Sequence, residues 1–525
     1  MKIYKSSIRR KRKRQLYYLI PAMVLWGFIS WQINFSLIRL WRGIPHMFNL
    51  IGRMLQPDFS YILQVLPRLM ETIEMAAVSS TLGVILGSLG ALFVARNTAI
   101  HPIIPLLGNP FFTFLRTIPN LIWAAILVSI FSVGKFPGMI ALTITATLIT
   151  VKLLREYIET IPESVIKGVE SVGATKIQTL RYGVLPMVFQ QMAAVFFLVL
   201  EVNIRGATIL GLVGAGGIGQ ILWRDLNHLR YDNLATLIIL LFATILVIDL
   251  GSLWLRKGLK DLYIPAKTIP IFRLRQKVKW IVVFLLLIVG MTWLVNSLDI
   301  TAERMILGLE SGARMVLRMA QFEFSYAPRL VEGLMESLFI ALFATVTGGV
   351  GALFLSYLTA YNTSPYPEVA LFFKAVVNLL RTFPPIVVAI IFFRGVGPGP
   401  LAGAMALSIY TLGVMTKLYS EVIESTGENI QQGILITGAG KILSYRFGIV
   451  PHTFSNYISL LLYRFESNMR NSTILGVIGA GGIGTILANN IAWRNWERVG
   501  LLLAGVAILM MAVEKLSEKI RKKLV

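Results

Sequence analysis

The chain has 525 residues, 56% of them hydrophobic and only 14% charged, with a formal net charge of +24. That apolar load excludes an ordinary water-soluble protein and puts part of the chain in lipid. The absence of cysteine excludes disulfides, thiolate chemistry and cysteine-held metal sites.

In chain order, a basic segment comes first, residues 1–16, with the run Arg9 to Arg14. Directly ahead of a first apolar block, such a run reads as the positive-inside signal rather than as a nucleic-acid arm, and it predicts a cytoplasmic N-terminus. Met1 to Ile20 shows no cleavage-site pattern, so it reads as a retained anchor. Six apolar blocks follow, Tyr17 to Trp31, Ile73 to Ala95, Phe111 to Val133, Met139 to Leu153, Met187 to Val202 and Leu234 to Leu255. After a basic linker, 260–279, a second series runs from Trp280 to Val295, Leu338 to Tyr361, Leu371 to Phe393, Leu401 to Met415, the flanks of Ile458 to Arg464, and Val499 to Val513. The blocks lack the alternation of barrel strands, so the expectation is an all-α integral membrane fold with about 12 spans, one span per half being a candidate re-entrant segment. The basic linker and the Lys- and Arg-rich tail predict that the linker and the C-terminus are cytoplasmic, and hence that each half crosses an even number of times.

The two series are copies. Met54-x-Gln56-x-x-Phe59-Ser60-Tyr61 recurs as Met319-x-Gln321-x-x-Phe324-Ser325-Tyr326, and Leu115-Arg116-Thr117-x-Pro119 as Leu380-Arg381-Thr382-x-Pro384, both 265 residues later. Arg205 to Leu222 and Arg470 to Leu487 agree at 13 of 18 positions without a gap. Near the first spans the register is looser, with Trp31 better set against Trp293. Residues 1–259 and 280–525 are therefore expected to be two units, repeated with the same orientation, and a pathway is expected where they meet.

Inside each half the longest polar stretch is Glu156 to Pro186, repeated as Glu421 to Pro451. A helical segment containing Gly168 or Gly433 precedes a small-residue turn, Gly173-Ala174 or Gly438-Ala439, and a second segment ends at Leu185-Pro186 or Val450-Pro451. Glycine permits a tight bend there, and proline suits the first turn of the next helix. A loop of this length with its own helices suggests a docking element.

Next comes Glu201-x-Asn203-x-Arg205 with a glycine-rich string containing Gly214, Gly216, Gly217 and Gly219. Its copy is Glu466-x-Asn468-x-Arg470 with Gly479, Gly481, Gly482 and Gly484. A phosphate cradle would need a preceding strand, and a membrane helix stands there instead. The glycines therefore read as close helix contacts or a helix break beside a cavity. Glu201 and Arg205, like Glu466 and Arg470, stand four apart on one helix face. Two roles are open for them: an ion pair that neutralises both charges, and a place on the translocation pathway, where Arg205 and Arg470 attract an oxyanion. The scattered histidines assemble no metal site, and no nucleophile with a base suggests catalysis.

The spacing Gly173-x11-Leu185-Pro186 and its copy resemble the coupling loop of ABC importer permeases, although Lys167-Gly168-Val169 and Gln432-Gly433-Ile434 replace the family's Glu-Ala-Ala. The whole Glu-x-Asn-x-Arg and glycine string closely resembles the membrane subunit of phosphonate ABC importers. That resemblance implies two fused units of the type I importer permease fold in a bacterial plasma membrane. It also implies two cytoplasmic ATP-binding subunits, an extracytoplasmic substrate-binding protein, and no cofactor on this chain, since no Walker motif occurs and ATP is used by the partners. The cargo it implies is a phosphonate or a related oxyanion such as phosphite or phosphate. An amino-acid permease and an ion-coupled secondary transporter remain the rival readings.

Overall fold

A computed structural model describes residues 23–24, 26–261, 302–426 and 428–524. The basic segment 1–16, linker residues 262–279 and the expected span at 280–295 lie outside the described residues. Among the described residues the secondary structure is helical, with no strand. This is the all-α membrane fold expected, because a chain in lipid must satisfy its backbone within each segment.

The first repeat contributes α1 (Leu37–Met54), α2 (Ile62–Val94), α3 (Ile103–Thr117), α4 (Asn120–Phe131), α5 (Lys135–Glu159), α6 (Glu163–Glu170), α7 (Lys176–Thr179), α8 (Leu185–Leu210), α9 (Ile218–Asn227) and α10 (Tyr231–Asp261). The second contributes α11 (Ala302–Met319), α12 (Ala327–Thr359), α13 (Pro367–Thr382), α14 (Pro385–Val396), α15 (Pro400–Ser425), α16 (Glu428–Leu435), α17 (Lys441–Ser444), α18 (Val450–Val477), α19 (Ile483–Ala492) and α20 (Trp496–Leu524). Every matched pair except α3 and α13 starts 265 residues apart. From α1 and α11 onward the register is therefore tight; Trp293, the residue expected to match Trp31 in the looser part, lies outside the described residues.

Seven of these helices are long and apolar enough to cross a membrane, namely α2, α5, α8, α10, α12, α15 and α20. The third expected block of each half is a broken pair rather than one helix: α3 and α4 meet at 83°, and α13 and α14 at 85°. The proline of the Leu-Arg-Thr-x-Pro motif makes the break. Ile118 and Phe383 take the extended conformation required before proline, with ψ of 118° and 123°, and Pro119 and Pro384 lead into the second helix. Counting each pair as one span gives up to nine among the described residues. α18, at 28 residues, has the length to cross but carries Arg464, Glu466 and Arg470 along its middle.

Two compact units divide the chain. One takes the described residues of Met1–Gly52 with those of Met319–Val525, and the other takes those of Arg53–Arg318. Each unit thus combines the leading helix of one repeat with the body of the other. Within the first unit, a Cβ on Gly43 of α1 would lie 2.4 Å from the carbonyl oxygen of Gly395 on α14. Within the second, a Cβ on Gly308 of α11 would lie 2.3 Å from the ring of Phe131 on α4. Inside each body the long helices α2 and α5, or α12 and α15, cross at a glycine: a Cβ on Gly83 would meet Ala146 at 2.2 Å, and one on Gly348 would meet Thr411 at 2.6 Å. Small residues bring helix axes together where lipid removes the hydrophobic drive to associate.

Candidate functional site

The Glu-x-Asn-x-Arg string lies in the C-terminal half of α8 and of α18, and its asparagines face inward. Asn203 is fully buried and its Nδ2 donates to Ser80 Oγ of α2 at 2.9 Å. Asn468, equally buried, donates to Thr345 Oγ1 of α12 and Thr411 Oγ1 of α15, each at 2.9 Å, and its Oδ1 accepts from Thr411 at 3.2 Å. A buried amide joined to neighbouring helices fixes their depth and rotation, because any slip strands a polar group. This is a structural pin, stronger in the second repeat.

The charged members are held by close contacts in both copies. Glu201 and Arg205 form the ion pair that their spacing allows, both side chains about one quarter exposed. Glu466 is nearly buried and reaches across to Arg521 of α20, at 3.3 Å. A neighbour four residues away could be read from the sequence, but a partner 55 residues on could not.

The glycine strings are the turns that stop α8 and α18 and start α9 and α19. Gly214, Gly216, Gly217, Gly479, Gly481 and Gly482 all have positive φ, between 74° and 95°. Gly219 and Gly484 serve close approach instead: a Cβ there would lie 2.0 and 1.9 Å from the carbonyl oxygens of Thr208 and Thr473. Gly219 also touches Gly211, and Gly484 touches Gly476, so each short helix packs backbone to backbone on the helix before it.

The open amides of these turns meet residues that the sequence reading passed over. Ile218 N–H donates to Thr72 Oγ1 at 2.8 Å and Ile483 N–H to Ser337 Oγ at 2.9 Å, while Gly482 N–H donates to Glu336 Oε2 at 2.8 Å. Glu71, 5% exposed, is paired with Arg68 at 2.8 Å, and its Oε1 lies 3.0 Å from where a Cβ on Gly216 would stand. A hydroxyl or carboxylate at a helix N-terminus satisfies free N–H groups and complements the helix dipole. The available signal was two carboxylates, Glu71 and Glu336, sharing the repeat offset inside apolar spans. A second missed residue is Arg464, and a third is Asp225, fully buried and accepting from Tyr61 Oη at 2.7 Å and Arg224 Nε at 3.0 Å.

The two polar loops form the expected helix, turn and helix. Gly173 and Gly438 both adopt φ of 83°, which lets Ala174 and Ala439 turn the chain. Gly168 and Gly433 sit on α6 and α16 with open space around them. One widened π-type turn, 180–184 or 445–449, then precedes Leu185-Pro186 and Val450-Pro451, with Leu185 N–H donating to the carbonyl of Leu180 and Val450 N–H to that of Tyr445. The wide turn makes room for a proline ring that would clash in a continuous α-helix. Apolar side chains project outward at the turns: Val172 is 82% exposed and Ile436 86%, and Ile177 and Ile442 are exposed beside them. In the first loop Lys167 Nζ donates to Glu163 at 2.6 Å and holds that carboxyl below the ordinary carboxylate range. Glu159 and Glu424, near the start of these loops, accept from the backbone N–H of Arg96 and Tyr361 at 3.3 and 3.0 Å.

Residues 79–261 and 352–514 each match the family described as binding-protein-dependent transport system inner membrane component. The chain belongs to this family. It is a multi-pass membrane component of a transport system, with the family's domain present twice. It is 27% identical over 497 residues to the phosphate-import permease protein PhnE of Mycolicibacterium smegmatis, covering 94% of this chain and 92% of that one. Over 221 residues it is 33% identical to the phosphite transport system permease protein PtxC of Stutzerimonas stutzeri, covering 42% of this chain and 80% of that one. Over 118 residues it is 37% identical to a putative cryptic phosphonate transport system permease protein, PhnE2, of Escherichia coli, covering 22% of this chain and 97% of that one. Among solved structures, an inward-facing methionine ABC transporter, MetNI, matches at a TM-score of 0.34 and 19% identity over 37% of this chain and 96% of that one.

Proposed function

We propose that the chain is the membrane-spanning part of an ATP-driven importer for a phosphorus oxyanion, phosphonate, phosphite or phosphate, with both permease units, residues 1–259 and 280–525, fused in one polypeptide. The observation that carries this reading is the doubled family domain together with relatives whose names agree on phosphate, phosphite and phosphonate. The two loops with exposed Val172 and Ile436 are the surfaces on which two cytoplasmic ATP-binding subunits dock. A single chain then offers a site to each. An extracytoplasmic binding protein delivers the anion, the termini are cytoplasmic, and ATP-driven closure of the partners is passed through the two loops to the membrane helices.

Arg205 and Arg470 remain the pathway candidates for attracting the anion, and the glycine turns are the breaks that let the bundle open near it. Two measurements test the reading. Purification of the chain from its native membrane brings down an ATP-hydrolysing subunit, and uptake of radiolabelled phosphate, phosphite or methylphosphonate stops when that subunit is inactivated. Uptake that persists on an ion gradient alone overturns the reading. Replacing Arg205 and Arg470 by Gln lowers uptake while the assembly survives; loss of the assembly instead assigns both arginines to structure.

A further inference from the structure

Arg464 stands near the middle of α18 and is 5% exposed, yet among the described residues no carboxylate pairs with it. Its Nε donates to Thr411 Oγ1 at 3.2 Å, and its guanidinium carbon lies 4.6 Å from the centroid of the Tyr410 ring. Its Nη2 has no hydrogen-bond partner among the described residues. A guanidinium kept from water without an anion is costly, and such a charge inside a membrane bundle marks a functional position.

The first repeat shows that the fold does not require it. At the same offset stand Val199 for Arg464, Ala146 for Thr411 and Thr145 for Tyr410, and Val199 and Ala146 are wholly buried in an apolar cluster. The second repeat has replaced that apolar packing with a cation, a hydroxyl that orients it and an aromatic face that supports it. Thr411 is further fixed by Asn468, which is itself bonded to Thr345. The arginine is thus held by a polar chain while one of its N–H faces stays unused.

We propose that Arg464 is an anion-contacting residue that exists only in the second repeat, and that its free N–H face hydrogen-bonds the transported oxyanion at mid-membrane depth during the transport cycle. The proposal rests on the oxyanion reading above and adds to it that recognition is one-sided. A guanidinium offers two parallel donors to a tetrahedral oxyanion, whereas Lys offers a point charge, so geometry as well as charge is under test.

The test uses the whole transporter in vesicles, the chain with its ATP-hydrolysing partners and binding protein, given inorganic phosphate, phosphite and methylphosphonate separately. Arg464→Gln is expected to lower uptake of the preferred anion by about tenfold or more, as loss of a charge-assisted hydrogen bond implies, at an unchanged thermal midpoint and basal ATP hydrolysis. Arg464→Lys is expected to recover part of the uptake while shifting the ratio among the three anions. Unchanged uptake and ratio in both variants, or failure of both to assemble, overturns the proposal, since Arg464 then serves either nothing or packing alone. If the unaltered protein takes up none of the three, the oxyanion reading itself fails and this assignment falls with it; uptake by the unaltered protein with no effect at Arg464 rejects this assignment alone.

Discussion

The two helix–turn–helix loops, Glu156 to Pro186 and Glu421 to Pro451, share a shape and differ in how they are fastened. In the first, Thr175 and Gln178 cap each other, with Thr175 N–H donating to Gln178 Oε1 at 2.8 Å, and α6 carries its own Glu163–Lys167 pair. In the second, Gly440 stands in place of Thr175. The fastening runs outward instead: Lys441 Nζ donates to the carbonyls of Ser364 and Pro365 at 3.0 and 3.2 Å, and Gln431 Nε2 to that of Asn362 at 2.7 Å. The first segment is braced within itself, the second against the loop between α12 and α13. A matching sequence offset therefore preserves the backbone path but not the contacts that fasten the loop to its surroundings.

Four experiments sharpen or break this contrast between the repeats. The largest effect is expected at the asparagine pins. Asn468→Ala removes a buried group bonded to two helices and is expected to cost about 3 kcal/mol, while Asn203→Ala, with one partner, costs about 1 kcal/mol. Thermal unfolding of the purified protein compares them, and equal losses would remove the asymmetry. Second, Val172→Asp and Ile436→Asp each put a charge on an exposed apolar contact and are expected to weaken retention of the ATP-hydrolysing partner by about tenfold. Undiminished co-purification of both would move the docking surface elsewhere. Third, Lys441→Met is expected to loosen the second segment by about 1 kcal/mol through loss of its two carbonyl contacts. Hydrogen exchange should then quicken in 441–449 and leave 176–184 untouched; faster exchange in both would show the segments to be mechanically joined.

The smallest effect concerns pH. The Glu163 carboxyl is held low by Lys167, so the contribution of the pair is fully present above the ordinary carboxylate range and is lost as pH falls through the depressed value. Both groups are exposed, and the change is confined to local protection of α6. The second repeat has Gln432 in place of Lys167, so α16 is expected to show no matching step. A step of equal size in α16 would refute the assignment.

Much of the fold was legible because lipid leaves few choices. Apolar blocks had to be helices, and a gapless run of matched residues had to mean a repeat. The broken third span was half visible: Pro119 and Pro384 were seen as a motif, but the bend needs the extended residue before each proline, which composition does not reveal. At the candidate site, the Glu201–Arg205 pair followed from helical spacing and was found. The Glu466–Arg521 contact joins α18 to α20 and depends on packing that no local pattern encodes. Glu71, Glu336 and Arg464 were missed for a related reason. Each stands among other charges in a largely apolar helix with nothing local to single it out, and only the structure shows that the carboxylates meet the glycine turns and that Arg464 has no carboxylate partner among the described residues.

The exchange of leading helices sets a timetable for synthesis. The ribosome delivers α4 long before residues 302–318, yet Phe131 of α4 is covered by Gly308 of α11. α1, made earlier still, waits longer for Gly395 of α14. A nascent chain stopped after the first repeat therefore holds one helix without its seat and one seat without its helix. Neither body is complete until translation has entered the second copy, so the two copies must be made as one polypeptide for each to receive its leading helix.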